Sequence, residues 1–247
     1  MHPQSEYGRN LLAAAFADRS YLEDKPDGEP IVELKDFSVM YRNRGKFLFS
    51  KKSFNTVIND VDLTICRGDC VGIVGPSGCG KTTLVKAIAG LQQYTKGQMK
   101  LNCARPGMVF QDPMSSLNPS MTVGRILEEP LRLSGNTDPA AAKELVARTL
   151  RDVELDEELV TRKVSQLSGG QRQRVSIALN IILNHELIIL DEPVSALDVT
   201  IREQVLELLM RLKKERNLTF IIISHDRRLV SRICNKVYNI NNGRIEV

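Results

Sequence analysis

The 247-residue sequence contains no tryptophan, and aromatic residues make up only 5% of it. Nowhere does an apolar run approach the ~18–20 residues that a spanning helix needs, so the sequence is not expected to cross a bilayer by a helix of its own. The first residues, Met1-His2-Pro3-Gln4-Ser5-Glu6, lack the basic start and apolar stretch of a secretory signal. Cysteine is sparse and odd in number. Cys66, Cys70, Cys79, Cys103 and Cys234 show no metal-ligand spacing and read as reduced thiols of a cytosolic protein. Thirty-four Lys and Arg against 30 Asp and Glu leave a net charge of +4. That is too little to argue for nucleic acid unless the basic residues are localised. What is present is ordinary for a globular protein, 42% hydrophobic and 26% charged, with length for one large domain or two small ones.

Residues 1–29 differ in character from the rest of the chain. Leu11–Phe16 can form a short helix, and Asp24-Lys25-Pro26-Asp27-Gly28-Glu29-Pro30 has the turn chemistry of a linker, so a domain is expected over 30–247. Strand signals begin at Ile31–Leu34 and Phe37–Tyr41 and return at Val61–Ile65 with clear alternation. Arg42, Arg44, Lys46, Lys51 and Lys52 form a basic loop between them, read as a solvated hairpin tip or, alternatively, a docking surface. Cys70–Val74, Leu187–Leu190 and Phe220–Ile223 are short apolar runs of the kind that form buried strands. Helical patterns fall at Lys81–Leu91, Val123–Leu133, Pro139–Val153, from about Gly170, and at Ile201–Arg216, where Val205, Leu208, Leu209 and Leu212 share a face. Buried strands alternating with helices imply an α/β fold with a parallel sheet.

Gly75-Pro76-Ser77-Gly78-Cys79-Gly80-Lys81-Thr82 matches G-x-x-x-x-G-K-[ST] between an expected strand and an expected helix. Glycines let the backbone wrap phosphates with its N–H groups turned inward, and the helix N-terminus adds partial positive charge. Lys81 is suited to β/γ-phosphates, and the Thr82 hydroxyl to Mg²⁺. Cys79 inside the loop reads as a small residue, since no general base is placed beside it. Leu187-Ile188-Ile189-Leu190 runs into Asp191 and Glu192. Alone, the carboxylate pair could equally be a helix N-cap. Downstream of a phosphate loop it reads as Walker B, with Asp191 toward Mg²⁺ and Glu192 as general base for an attacking water. Leu167-Ser168-Gly169-Gly170-Gln171-Arg172-Gln173-Arg174 adds a Ser cap and two glycines opening a second helix. One phosphate loop and two phosphate-facing helix ends suggest a two-fold dimer with two shared sites.

Here the sequence resembles the nucleotide-binding subunits of ABC transporters, over roughly Ile31 to Val247, with LSGGQRQR as that family's signature. The resemblance implies a P-loop NTPase cassette with a RecA-like core, an antiparallel β subdomain near 31–70 and a helical subdomain near 112–175. It implies ATP hydrolysis with ATP and Mg²⁺ as cofactors. It assigns Gln111 as the Q-loop glutamine near the metal and membrane partner, and Asp198 in Ser195-Ala196-Leu197-Asp198 as the D-loop. His225 becomes the switch residue at the γ-phosphate, and Tyr41 the aromatic on adenine. Gly75 to Thr83 and Ser168 to Gln171 become nucleotide contacts. Without the resemblance, Gln111 would be a surface amide and His225 a strand-end histidine.

The run from Phe110 to Gly124, FQDPMSSLNPSMTVG, is similar to the oligopeptide, dipeptide and nickel importer branch. Its expected partners are therefore a second ATPase domain (identical, different or fused in tandem), integral-membrane permease subunits and, indirectly, a substrate-binding protein, at the cytoplasmic face of the membrane. A non-transport ABC ATPase of a cytosolic complex is the alternative reading. Two features depart from the branch. Its members continue beyond the Gly243-Arg244-Ile245-Glu246 element, and Pro3–Ala14 is similar to the tail after such a domain. Residues 1–16 are thus either a remnant of a preceding domain or an unrelated helix. Leu179-Asn180 stands where the family often has Arg-Ala.

Overall fold

The computed structural model describes residues 28–43, 53–135 and 138–246. The helix expected at Leu11–Phe16, most of the linker, and Arg44, Lys46, Lys51 and Lys52 lie outside the described residues. In chain order the elements are β1 (Pro30–Asn43), β2 (Ser53–Cys66), β3 (Cys70–Val74), α1 (Lys81–Ile88), β4 (Lys96–Leu101) and β5 (Gly107–Val109). They continue as α2 (Pro113–Ser116), α3 (Val123–Leu133), α4 (Pro139–Asp152), α5 (Gly169–Ile182) and β6 (Leu187–Asp191). The last are α6 (Val199–Arg216), β7 (Thr219–Ile223), α7 (Arg227–Ile233), β8 (Lys236–Asn241) and β9 (Arg244–Glu246). Two short 3-10 turns, Glu157–Thr161 and Val164–Gln166, precede α5. The described residues fall into two compact units. One comprises 28–108, 186–191 and 217–246; the other comprises Val109–His185 and Glu192–Arg216.

In the first unit, β3, β6 and β7 are buried at every position, as expected of strands covered on both faces. They occupy the middle of a six-stranded sheet of order β5-β6-β7-β3-β8-β9. β7 runs parallel to both β6 and β3, and β8 parallel to β3, while β9 closes the edge antiparallel. Strand alternation sends Val71 and Ile73, Leu187 and Ile189, and Ile221 and Ile223 into one core. Leu84, Val85 and Ile88 of α1 and the inner positions of β1 and β2 fill the same core. On the other face Gly72 lets α7 approach closely: a Cβ there would sit 2.0 Å from Val230 Cγ1.

A second sheet of order β2-β1-β4 is antiparallel. The two strands expected at Ile31–Leu34 and Phe37–Tyr41 are one strand, because the break between them is a bulge and not a turn. Asp36 sits there with φ 48, and its N–H is satisfied by Asp62 Oδ1 at 2.8 Å. β4 has no strand signal in the sequence: KGQMKL has no β-branched or aromatic residue, and only one of its edges is paired.

The second unit is helical. α3 buries Val123, Ile126, Leu127 and Leu131, and α4 buries Ala142, Val146 and Leu150, each at helical spacing. α6 buries the four residues expected, together with Leu206. Its charged clasp lies at the end of α4. Arg174 of α5, nearly buried, donates to Glu154 Oε2 at 2.6 Å and to the Val153 carbonyl at 2.9 Å. Arg211 of α6 donates to Glu154 Oε1 at 3.2 Å and to the Asp152 carbonyl at 2.8 Å, and Arg216 to Asp152 Oδ2 at 2.5 Å. Partial burial works against the Glu154 carboxylate, but the hydrogen bonds and charges of Arg174 and Arg211 outweigh it and hold its pKa below the ordinary glutamate value of 4.5.

A depressed folded pKa contributes stability above the unfolded value that is lost as pH falls through the folded one. Glu154→Gln should therefore cost about 1 kcal/mol at pH 7, an amount kept small because the carboxylate is half exposed. Urea unfolding midpoints taken from pH 7 down past 4.5 should fall more steeply for the parent than for Glu154→Gln; parallel slopes would remove Glu154 from the clasp.

Candidate functional site

Strand register places the first part of the site. Asp191 pairs with Ile223 and Ile223 with Ile73, so three parallel strands end level. With strands ~4.8 Å apart, Asp191 is two spacings, about 10 Å, from the end of β3 along one sheet edge. β3 runs there into the glycine-rich loop, β6 into Asp191, and β7 into Ser224 and His225. The carboxyl ends of parallel strands are where α/β sheets bind ligands.

The loop from Gly75 to Gly80 wraps as its composition demands. Gly78 and Gly80 have φ of 79 and 108, in the region that favours glycine. A Cβ on Gly75 would meet the Ile240 carbonyl oxygen at 2.2 Å, and one on Gly80 would meet Ile58 Cδ1 at 2.7 Å and the Val57 carbonyl at 2.8 Å. Behind the loop, then, there is no room; at Gly78 a Cβ would have nothing within 4 Å. Lys81 is 8% exposed, and its Nζ donates to the carbonyls of Gly75 at 2.7 Å and Pro76 at 2.8 Å. The ammonium thus lies folded across the loop that precedes it. No side chain caps α1, which leaves its first-turn N–H groups for an anion. Pro76, Ser77 and Thr82 are exposed; Cys79 and Thr83 are partly buried.

Asp191 is 7% exposed. Among the described residues no group of three or more His, Cys, Asp and Glu could hold a metal ion. Mg²⁺ takes hard oxygen ligands, and the oxygens of Thr82 and Asp191 are of that kind. His225 is exposed between two anchored neighbours. Ser224 N–H reaches the Ile73 carbonyl at 3.3 Å, and the Asp226 carboxylate caps α7 by accepting from Arg228 and Leu229. Tyr41 is 39% exposed near the end of β1, and its hydroxyl donates to Gln92 Oε1 at 3.3 Å.

The remaining residues belong to the second unit. Gln111, exposed, donates from Nε2 to Glu192 Oε2 at 3.0 Å. Glu192 has φ 47, unusual for a residue with a long side chain. Its carbonyl accepts from Ser195 N–H at 3.3 Å and Ser195 Oγ at 3.1 Å. Asp198 Oδ1 accepts from Ile201 N–H at 3.0 Å. Ser168 Oγ accepts from Gln171 N–H at 3.2 Å, and Gln171 Oε1 from Ser168 N–H at 2.9 Å, a reciprocal capping box. Gln171, expected beside nucleotide, directs its side chain into its own helix end.

Sequence reasoning missed two contacts and one cluster of unsatisfied polar atoms. A Cβ on Gly170 would lie 2.7 Å from Ile201 Cγ2, so this signature glycine is required by close packing on α6. The Gln111–Glu192 bond spans 81 residues and had no sequence signal. Near the α5–α6 contact, Gln173 Nε2, Thr200 Oγ1 and Arg202 Nε are buried without a hydrogen-bond partner.

The profile of the family described as ABC transporter matches residues 58–195. The chain belongs to the ABC transporter family. It is 37% identical over 231 residues to a putative peptide import ATP-binding protein of Brucella abortus, covering 87% of this chain and 71% of the relative. It is likewise 37% identical over 227 residues to the oligopeptide transport ATP-binding protein OppF of Haemophilus influenzae, covering 85% of this chain and 68% of the relative. Among solved structures it is similar to the dimeric post-hydrolysis state of the ATP-binding cassette MJ0796 bound to ADP and Pi. That match has a TM-score of 0.75 and 29% identity, over 87% of this chain and 97% of the other. The α/β fold with its antiparallel sheet is therefore that of an ABC ATPase cassette. The phosphate loop, Asp191, Glu192 and the start of Ser195–Asp198 all fall within or at the border of the matched span.

Proposed function

We propose that the chain is the ATP-binding and ATP-hydrolysing subunit of an ABC importer for peptides, nickel or a related small solute, with peptides first because the relatives are named for peptide import. The observation that carries it is the pairing of one phosphate loop, with Lys81 folded over its carbonyls, with one capped signature helix end in the same chain. Each chain offers half of a two-fold arrangement, and the cassette structures it is similar to are dimeric. On this reading residues 30–247 form the cassette, with a helical subdomain near 112–175. It sits at the cytoplasmic face of the membrane against integral permease subunits.

The reaction is ATP + H₂O → ADP + phosphate. The N–H groups of the loop and of α1 bind the phosphates, and Lys81 leaves its carbonyl partners for the β/γ-phosphate oxygens. Thr82 and Asp191, with Gln111, would hold Mg²⁺, which when bound would supply positive charge against the phosphates. His225 contacts the γ-phosphate. Glu192, oriented by Gln111 and Ser195, takes a proton from water as its oxygen attacks the γ-phosphorus; ADP departs with the bridging oxygen and its electron pair. Tyr41 stacks on adenine. Ser168 to Gln171 and Asp198 of a second chain close the site. ATP holds the two chains together, hydrolysis releases them, and the cycle moves the permease between its two openings.

Glu192→Gln keeps the shape and removes the base. Turnover should fall on the order of 10²–10⁴-fold while ATP still binds, and size-exclusion chromatography should show an ATP-dependent dimer; turnover near the parent's would refute the base. Lys81→Ala should weaken nucleotide binding by at least about tenfold, read by titration with a fluorescent ATP analogue. Cells lacking the chain should lose uptake of a labelled tripeptide and regain it with the parent but not with Lys81→Ala. Undiminished peptide uptake would remove peptides as the cargo.

A further inference from the structure

The run from Phe110 to Gly124 stands out in the sequence, yet most of it has no part in the chemistry of hydrolysis. Its middle is tied to another segment of the same unit. The Pro119 carbonyl accepts from Ser165 N–H at 3.2 Å, and the Met121 carbonyl from Val164 N–H at 3.1 Å. Val123 N–H donates to the Arg162 carbonyl at 2.9 Å, and Thr122 and Lys163 form a bridge. These bonds make a short antiparallel ladder between 119–123 and 162–165. Three residues beyond Ser165 lies Ser168, the cap of α5.

Side chains in the run serve the ladder. Asn118 Oδ1 accepts from Ser120 N–H at 3.1 Å and Ser120 Oγ at 2.7 Å, the side-chain turn that comes after buried Leu117 and presents the Pro119 carbonyl. Thr122 caps α3 by accepting from Arg125 N–H at 3.3 Å. Gly124, in the first turn of α3, leaves no room: a Cβ there would lie 2.6 Å from Val160 Cγ2 and 3.1 Å from the Val160 carbonyl oxygen. Its φ is not positive, so glycine is needed here for close approach alone. At the other end of the run stands Gln111, bonded to Glu192.

We propose that 117–124 is a positioning strap for the signature end: through its ladder it fixes where Ser168 to Gly170 stand relative to Gln111 and Glu192. Asn118 and Gly124 are positioning residues for the ATP-dependent pairing of two chains. Segment 162–165, which runs from the end of the first 3-10 turn into the second, is anchored by this ladder, so displacing the strap displaces the helix cap just beyond it. The strap acts only through the signature end. The inference rests on the reading of the chain as half of an ATP-dependent dimer.

Gly124→Ala is the test. Alanine is the better helix former, so α3 itself is not weakened, while the added methyl pushes Val160 and the ladder apart. In the full chain, the dissociation constant for ATP, measured at protein concentrations below dimerisation, should stay within about twofold. The kcat should fall at least about tenfold, and in the Glu192→Gln background the ATP-dependent dimer should need about tenfold more protein. Adding Val160→Ala should restore both, which a general loss of stability would not allow. Asn118→Ala should give the same split to a smaller degree and stands in if Gly124→Ala does not fold. Unchanged kcat and dimerisation in both variants would overturn the strap, as would ATP affinity falling in step with kcat. If the Glu192→Gln parent itself does not dimerise with ATP while Gly124→Ala is normal, the dimer reading has failed and takes the strap with it.

Discussion

Everything along the candidate site's edge of the sheet depends on one constraint: three short strands, buried at every residue, run parallel and stop level. A parallel ladder fixes register through evenly spaced bonds between neighbours, and a slip of one residue would turn each side chain to the opposite face. Because Val71, Ile73, Leu187, Ile189, Ile221 and Ile223 all face one core, such a slip would put their even-numbered neighbours into that packing instead. Packing on both faces, with Gly72 turned to Val230 of α7, therefore holds the register, and the register holds Asp191, His225 and the glycine loop along one edge. The candidate site inherits its precision from apolar residues that take no part in it.

Much of this was legible in the sequence because the strongest signals are local. The buried strands are unbroken apolar runs, the Thr cap and apolar spacing of α3 mark its bounds to the residue, and the glycine loop is a local conformational demand. What stayed hidden is long-range. β4 borrows its strand conformation from β1 and carries no propensity of its own. The runs Ile31–Leu34 and Phe37–Tyr41 read as two strands, whereas Asp62 supplies the bond to Asp36 that keeps one strand going through a bulge. Gly170 looked like a glycine kept open for phosphate, and its nearest neighbour is instead Ile201. In each case the partner lies between 26 and 70 residues away along the chain, beyond any window of pattern.

Directional polar contacts hold the helix ends of the second unit. Its charged clasp fixes the end of α4 against α5 and α6, and its backbone ladder fixes the approach to Ser168. Directional bonds hold a position more narrowly than apolar packing of equal strength, since they weaken steeply with misalignment. On the proposed function, a helix end that meets a ligand on another chain would need that narrowness more than a core does. The unsatisfied atoms of Gln173, Thr200 and Arg202 are the exception, and they lie where α5 and α6 meet, the joint between the signature helix and the Ser195–Asp198 turn.

Backbone strain sorts the two units further. Among the described residues, seven other than glycine have positive φ: Asp36, Asp60, Glu154, Asn184, Glu192, Asn217 and Asn242. Asp and Asn adopt that region readily because a short polar side chain can bond locally; glutamate has no such help. A left-handed glutamate costs on the order of 1–3 kcal/mol and persists only where its surroundings impose it. Both glutamates meet that condition. Glu154 is gripped by Arg174 and Arg211, and Glu192 by Gln111 at its carboxylate and Ser195 at its carbonyl. At Glu154 the strain closes the clasp. At Glu192 it turns the chain sharply just after Asp191, so that two consecutive carboxylates are not carried on in a strand's simple alternation. The second can take a different direction from the first, as the proposed roles of Glu192 and Asp191 would require.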